Sequence, residues 1–475
     1  MQLWLVSAAT AGAVLVALQL DNSVALGVGL CLLLAPILLV LSVAPQAIFD
    51  LLVVASLASG AAIASTAINL GVRLYPLDVI LAVALLLVLL HARHLTSVLS
   101  TRQLRLTLGI VTFGGLCGAI GLAHGNAPLE VVGTFRRMFF YPIVGFVISM
   151  AFTSSRSSIE RTYKLVIIAG VLLFLLFMAR LLTGVGYKQD VFNVAGETTR
   201  YLSYNEAASL SFAVLAAIAV RFLRPRGWQP LVASLLSLTF TIGVIGSNYR
   251  TAWLALLAGV GVVGFSLGLR RLRVAVRLLA GSVGVLTLLA ILLVTTPLGA
   301  LAMRKFTTEN LMTTGSWRLF SWIKAVSVFL KHPVFGVGLG YQHQFVRLAG
   351  DMQTLRVNEG NTIHNDILWV LVNTGTVGFV VLVVLWGRLI ARAIQTIRRS
   401  TDLFLVAITA ACLGELAVLI VTSLFQPTIS LGSSGFLLGL LAALLCRTAD
   451  LSSDVRPPSL IEPQINRSDF EPLPV

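Results

Sequence analysis

The chain has 475 residues, of which 57% are hydrophobic and only 11% are charged. A soluble domain carries about twice that charged fraction, so the composition excludes a soluble globular protein. The formal net charge of +15 would suggest nucleic-acid binding in a soluble chain. Here the basic residues lie in short loops between long apolar runs, so we expect a lipid bilayer and no nucleic acid as partner.

Apolar runs of roughly 20 residues recur along the whole chain, the length that crosses a bilayer as a helix. The first run, residues 3–20, has no basic residue before it, which favours a membrane span over a cleavable signal peptide. We predict an all-α polytopic protein with about 14 spans (about 12 to 14) in a single bundle over residues 1–446. The predicted centres lie near Ala13, Leu34, Ser56, Val83, Phe113, Val144, Leu172, Val214, Leu238, Leu257, Leu286, Val380, Thr409 and Leu437.

Every second loop is short and basic, and the positive-inside rule places these loops in the cytoplasm together with both termini. The remaining loops, including the large segment 296–366, then lie on the outer face. The tail 447–475 is rich in Pro, Ser and Asp without apolar periodicity. We predict that it is disordered in the cytoplasm.

Outer arginines oppose this topology rule and therefore need an explanation. Arg250 opens an apolar run in SNYRTAWLAL. Its side chain could simply extend to the membrane surface, or it could bind an anion at a helix N-terminus, where N–H groups point outward. Arg318 lies in a second segment, for which Ser316 is a suitable N-cap and Pro333 a stop. Arg136, Arg137 and Arg200 are further outer candidates for substrate binding.

The segment that begins at Ser316 has the pattern of an amphipathic helix on a membrane surface. Its polar stripe is Arg318, Ser321, Lys324, Ser327 and Lys331, and its apolar remainder is Leu319, Phe320, Ile323, Val326 and Leu330. A glycine run follows, in which Gly336 and Gly338 could present backbone N–H groups to a phosphate or could form a simple turn.

His364 stands in NTIHND, directly before the next apolar run. A lone histidine is usually structural, but a neutral imidazole at the outer end of a helix can take a proton from a hydroxyl near physiological pH. Asn365 and Asp366 could orient its ring. His332 and His343 share the loop without zinc-site spacing, and the four cysteines form no CxxC pair. We therefore predict neither a metal nor a cofactor.

Three of these segments together resemble the O-antigen ligase and polymerase superfamily. They are a span opening with RTAWLAL, an outer loop containing GSWRLFSWIKAVSVFLKHPVFGVGLG, and NTIHNDILWVLVNTGTVG before the next span. The resemblance is clearest over residues 235–389. It implies a GT-C-type helical bundle in the cytoplasmic membrane of a bacterium, with a large extracytoplasmic loop that carries an amphipathic helix.

The resemblance also implies an inverting, metal-independent glycosyltransferase that acts on the outer face. The donor would be an oligosaccharide on a polyprenyl diphosphate, and the acceptor a hydroxyl of a glycan or glycolipid. Matched by position, Arg250 and Arg318 would bind the donor diphosphate and His364 would be the catalytic base. The family places a serine directly before the span arginine, whereas this chain has Ser247-Asn248-Tyr249 before Arg250.

Two alternatives stay open at the level of sequence. A ligase and a polymerase need the same donor and the same base, so the motifs do not separate them. A flippase for lipid-linked saccharides would also have many spans and outer basic residues. It should show charges near mid-membrane or paired broken helices. Glu415 is the only clear acidic residue deep in an apolar run, and we find no internal repeat.

Overall fold

The structure is a computed structural model. It describes residues 45–58, 68–69, 73–91, 99–183, 200–223, 228–247, 249–269, 276, 308–348, 355–360, 363–428 and 432–454. The described residues are predominantly helical, with two short antiparallel hairpins between helices, which supports the predicted helical class.

The early elements are α1 (Pro45–Ala58), β1 (Ile68–Asn69), β2 (Arg73–Leu74), α2 (Pro76–His91), α3 (Thr101–Ala123), α4 (Pro128–Phe135), a π-helical turn (Arg136–Phe140), α5 (Tyr141–Phe152) and α6 (Arg156–Thr183). The later elements are α7 (Tyr204–Leu223), α8 (Trp228–Gly246), α9 (Arg250–Gly268), α10 (Thr308–Lys331), β3 (His343–Leu348), β4 (Leu355–Gly360), α11 (Asp366–Arg399), α12 (Leu403–Ser423) and α13 (Gly432–Asp454).

Within the described ranges, seven helical segments are long and apolar enough to cross a membrane. One of them is the continuous stretch Pro128–Phe152, which joins α4, the π-helical turn and α5. The other six are α3, α6, α9, α11, α12 and most of α13. The structure therefore supports an integral membrane protein, while the total of about 14 spans stays a prediction. The predicted spans near Ala13, Leu34 and Leu286 lie outside the described residues.

The core of the bundle forms around α12, which is buried along nearly its whole length. Helix α9 crosses α12 where Gly259 meets Gly414, and a methyl group added to either residue would come within 3.0 Å of the other's carbonyl oxygen. Helix α5 approaches α13 in the same way, at Gly145 and Gly439. Small residues at both crossings let the backbones approach closely, as is common between membrane helices.

The segment from residue 308 to residue 378 contains two features that were not predicted from the sequence. Strands β3 and β4 form a hairpin in which His343 pairs with Gly360 and Leu348 with Leu355. Helix α11 is broken at Gly375, which has φ 65° and ψ −167°. The turn 333–337 packs into this break and bonds to the backbone of α11, so the break anchors the turn on the bundle.

Two predicted boundaries were wrong. Helix α10 begins at Thr308, so Ser316 lies inside the helix and does not cap it. The preceding residues of α10 contain no proline, and Gly315 costs a helix interior only about 1 kcal/mol. The tail was predicted to begin at residue 447, but α13 continues to Asp454. Its extra turns are held because Arg447 Nη2 donates to the carbonyl oxygen of Met150 at 2.7 Å and Arg392 pairs with Asp450 at 2.8 Å.

Candidate functional site

Arg250 is the first residue of α9, as predicted, and the turn before it is tightly fixed. Ser247 Oγ donates to the carbonyl oxygen of Val244 at 2.6 Å, and Trp253 Nε1 donates to the carbonyl oxygen of Ile245 at 3.0 Å. Tyr249 precedes the helix in extended conformation. These contacts fix the backbone at the start of α9, and with it the base of the Arg250 side chain.

Arg200 joins this turn from a distant part of the sequence. Its Nη1 donates to the Tyr249 hydroxyl at 3.1 Å, and its guanidinium carbon lies 4.3 Å from the centre of the Tyr249 ring. The ring of Tyr204 meets the ring of Tyr249 edge-on at 6.2 Å. Tyr249 therefore orients Arg200 by a hydrogen bond and by a cation–π contact.

The buried carboxylate of Glu206 anchors the segment that follows Arg200. Glu206 Oε2 accepts from Arg180 Nη1 at 2.9 Å and from the backbone N–H of Ser203 at 2.6 Å. Arg180 also donates to the carbonyl oxygen of Tyr201 at 2.9 Å. These bonds fix the chain just after Arg200 at the start of α7.

Arg318 approaches the same place from α10. Burial, followed by the neighbouring charges of Arg200 and Arg250, lowers the pKa of Arg318 to about 10. Three guanidinium groups from three separate segments therefore lie within electrostatic range of one another. Burial of like charges beside one another is unfavourable, and an anion bound among them would offset that cost.

His364 lies on the segment that leads into α11, and its backbone is unusual. It has φ 55°, the only non-glycine residue with a positive φ in the described part of the chain. The residue before it, Ile363, is buried in the apolar cluster that also holds Ala325 of α10 and, at its edge, Trp322. Arg318, Trp322 and Ala325 share a helix face at spacings of four and three. The His364 segment thus packs near the face of α10 that carries Arg318.

Asn365 and Asp366 fix the start of α11. Asn365 Oδ1 accepts from the backbone N–H of Leu368 at 3.1 Å and so caps the helix, while Asp366 is buried at its first position. The cap gives Asn365 a structural task beside the predicted orientation of the His364 ring. A left-handed residue followed by a capped helix holds His364 in one backbone conformation.

The glycine run is packed against backbone on both sides. A methyl group at Gly338 would meet the backbone of Ile120 and Gly121 in α3, and one at Gly336 would meet Thr374 and Gly375 of α11. The N–H groups of Gly336, Val337 and Leu339 donate to the carbonyl oxygens of His332, Val372 and Cys117. These contacts explain the glycines by close packing, and their role in phosphate binding stays a prediction.

Arg136 and Arg137 lie in a different group of contacts, in the π-helical turn. Arg136 Nη1 pairs with Asp78 Oδ2 at 2.8 Å, and Asp78 Oδ1 accepts from the Tyr141 hydroxyl at 2.5 Å. The guanidinium carbon of Arg136 lies 4.8 Å from the ring centre of Tyr75. Arg137 Nε donates to the carbonyl oxygen of Gly133 at 3.1 Å. These contacts join α2 to the π-helical turn and α5.

Tyr249 is the residue that sequence reasoning missed. The family motif in that turn is defined by its serine and its arginine, and it does not include the tyrosine. A tyrosine beside a membrane boundary is common and carries no signal of its own. Its contact with Arg200 depends on a fold that joins residues 49 positions apart.

The comparisons with known proteins address the family directly. No curated protein matches the chain. Residues 233–383 match the family model described as O-antigen ligase, and this stretch contains Arg250, Arg318 and His364. Over this stretch, about a third of the chain, the protein is similar to the O-antigen ligase family, which confirms the resemblance seen in the sequence motifs.

Proposed function

We propose that the protein is a membrane glycosyltransferase that moves a glycan from a polyprenyl-diphosphate-linked donor to a hydroxyl of a glycan or glycolipid acceptor. The observation that carries the proposal is the meeting of Arg200, Arg250 and Arg318 from three segments. Two of these arginines lie in the stretch that matches the O-antigen ligase family. The family match supports a lipid-linked oligosaccharide and a glycan acceptor as substrates.

The arginines would act on the leaving group. As the bond between the anomeric carbon and the diphosphate oxygen breaks, negative charge grows on the diphosphate. Guanidinium groups bind such oxygens through paired hydrogen bonds, and preorganised donors of this kind each contribute about 3–4 kcal/mol to transition-state stabilisation. Three fixed cations can therefore perform the charge neutralisation that a divalent metal performs in other enzymes. We propose a reaction that needs no metal.

His364 would act on the acceptor. Its imidazole takes the proton of the acceptor hydroxyl while that oxygen bonds to the anomeric carbon from the face opposite the diphosphate. The configuration at that carbon is then inverted, and the diphosphate departs as an anion. A positioned general base typically contributes about 10²–10⁴-fold in rate. The left-handed backbone at His364 is the kind of strain that persists where a side chain must be held in place.

The test is a transfer assay with purified protein and a defined polyprenyl-diphosphate donor. Transfer should persist in excess EDTA and should fall by about 10²-fold or more in His364→Ala. The matched control is His124→Ala, which changes an exposed histidine of the α3–α4 connection. Full activity of His364→Ala would remove it as the base, and complete loss of transfer in EDTA would exclude the metal-independent reaction.

The same assay separates the two acceptor classes. With the lipid-linked repeat alone, a polymerase lengthens its own substrate. A ligase gives no longer product until a separate glycolipid acceptor is added. Both outcomes keep the proposed donor chemistry, since the arginines and His364 serve the same steps in either case.

A further inference from the structure

A cavity whose lining contains none of the three clustered arginines lies between α3 and α11. It is a groove of about 660 Å³. Its wall is apolar over Leu106, Ile110 and Phe113 of α3 and Val381 and Leu385 of α11. A groove with this lining, open at the surface of a membrane span, has room for a hydrocarbon chain.

The shape of the groove follows from Gly109 in its wall and from the close approach of Gly378 to Phe113 at its narrow end. Gly109 forms part of its lining, and a methyl group added there would meet no atom within 4 Å. At the other end the helices close together, where a methyl group on Gly378 of α11 would lie 3.2 Å from the Phe113 ring. The space therefore widens from Phe113 towards the start of α3.

The wide end of the groove is basic. Arg102 and Arg105 line it from the first turns of α3, and both are exposed. On α11, Arg388 is exposed and follows Val381 and Leu385 on the same helix face, at spacings of seven and three. Two guanidinium groups of α3 thus line the mouth of an apolar groove, and Arg388 follows the lining residues on the neighbouring helix.

This mouth faces away from the candidate active site. Gly121, near the opposite end of α3, packs against Leu339 of the glycine run. The 16 positions between Arg105 and Gly121 correspond to about 24 Å along the helix axis at 1.5 Å per residue. That separation is most of the thickness of a bilayer core, so the basic mouth lies at the opposite end of α3 from the glycine run.

We propose that this groove binds an anionic phospholipid, with its phosphate at Arg102 and Arg105 and an acyl chain along the apolar wall. Basic residues at a membrane surface contribute about 1 kcal/mol each to binding anionic lipids. A second copy of the chain is disfavoured as the occupant, because a symmetric contact would place the same arginines against their own copies. The site is independent of the proposed glycosyl transfer.

The test is native mass spectrometry of the purified full chain with phosphatidylglycerol and, separately, phosphatidylcholine. We expect several-fold stronger retention of phosphatidylglycerol. The double variant Arg102→Gln, Arg105→Gln should weaken that retention about 10- to 30-fold. The control Arg398→Gln, Arg399→Gln removes two exposed arginines at the end of α11, outside the groove, and should retain the lipid.

A second pair of variants tests the apolar wall. Gly109→Leu should place a side chain in the groove and displace the lipid, whereas Gly115→Leu, also in open space on α3 but outside the groove, should not. Equal retention of both lipids, or retention unchanged by the Arg102 and Arg105 substitutions, would overturn the proposal. So would a change from dimer to monomer in Gly109→Leu without any loss of lipid, because it would assign the groove to a second copy.

Discussion

At Arg318, burial removes water from a guanidinium that already lies within range of two others. Both effects lower the pKa of Arg318, to about 10, yet the side chain stays charged at neutral pH. A charge held under these conditions binds an anion strongly, because the anion replaces lost hydration and reduces repulsion together. The same reasoning makes the geometry of the donors more important than their charge alone.

We therefore predict that Arg250→Lys and Arg318→Lys each reduce transfer although both keep the charge. Lysine makes no paired hydrogen bond to a phosphate, and loss of one charged hydrogen bond costs about 1.5–3 kcal/mol, or about 10- to 100-fold in rate. Initial rates at saturating acceptor measure the effect. Arg398→Lys, in the exposed last turn of α11, is the control and should transfer at the rate of the unsubstituted protein. Normal rates in both site variants would separate the arginines from the diphosphate.

His343 gives a prediction on pH. Burial lowers the pKa of His343 to about 3, and the Tyr341 ring packs edge-on at 4.9 Å. The unfolded chain binds a proton on this residue near pH 6.5, whereas the folded protein does not until about pH 3. The free energy of unfolding should therefore fall as pH falls from 6.5 towards 3. The slope is about 1.4 kcal/mol per pH unit once the pH is well below 6.5.

Between pH 7.5 and pH 5 this residue should cost the folded protein about 2 kcal/mol. The variant His343→Phe cannot titrate and keeps an aromatic ring beside Tyr341, so it should lose less stability than the unsubstituted protein over that interval. Thermal unfolding in detergent at the two pH values measures the difference. His124→Phe, at an exposed histidine, serves as the comparison, and identical pH dependence in His343→Phe and the parent would contradict the prediction.

At the scale of elements, the break in α11 is held by bonds to the turn 333–337. The N–H groups of Thr376 and Val377 donate to the carbonyl oxygens of Pro333 and Val334, and Val337 N–H donates to Val372. The turn thus satisfies backbone groups that the break leaves without helical partners. Gly375 is required there, since its φ is 65° and a methyl group would collide with the backbone of Val334.

Gly375→Ala should consequently destabilise the protein by about 1–3 kcal/mol or more, through a disfavoured backbone conformation and a backbone collision. Gly387→Ala provides the matched control on the same helix, because a methyl group there meets no atom within 4 Å. That control should be neutral or slightly stabilising, since alanine is the better helix former. Thermal unfolding of the two variants measures the difference in stability. Equal midpoints would contradict the prediction that the break in α11 requires glycine at position 375.

The elements that were predictable from sequence are those fixed by local chemistry. The start of α9 at Arg250 and the end of α10 just before Pro333 follow from an apolar run and a helix stop. The break at Gly375 was not predictable, because a glycine inside an apolar run is usually tolerated and the turn that requires it comes 40 residues earlier. The β3–β4 hairpin was not predicted, because no strand was assigned between the glycine run and His364.

The candidate site was predictable in its members and not in its arrangement. Arg250, Arg318 and His364 were found from position and from the family resemblance. The convergence of Arg200 with Tyr249 depends on the ion pair of Arg180 with Glu206 and on the packing of α7, which no local pattern encodes. Arg136 was a candidate by charge alone, and its pairing with Asp78 could not be seen without the fold.

At the scale of the whole molecule, the bundle is expected to place α10 outside the cell and the end of α11 inside. Residues 376–399 give about 36 Å of helix at 1.5 Å per residue, enough to cross a bilayer. The basic end of α11, with Arg398 and Arg399, should then lie in the cytoplasm. The described cysteines, Cys117, Cys412 and Cys446, are buried and should not react with water-soluble reagents.

This orientation can be tested by labelling with a membrane-impermeant maleimide, in a parent in which Cys31 is replaced by serine. Ser327→Cys, on the exposed side of α10, should react in intact cells. Arg398→Cys should react only after the membrane is opened, and the parent should stay unlabelled under both conditions. Labelling of Arg398→Cys in intact cells would contradict this orientation, because it would place the end of α11 outside the cell.

The hydrogen bonds between the turn 333–337 and the broken helix α11 affect how substrates could enter. The turn directly follows α10, which bears Arg318, and the helix it joins begins two residues after His364. Pulling these apart would rupture three backbone hydrogen bonds, each worth about 1 kcal/mol net, along with their apolar surroundings. Arg318 and His364, the proposed leaving-group cation and proton acceptor on these two elements, are therefore expected to move as one unit, and a gate for the two lipid-borne reactants would have to form in other parts of the chain.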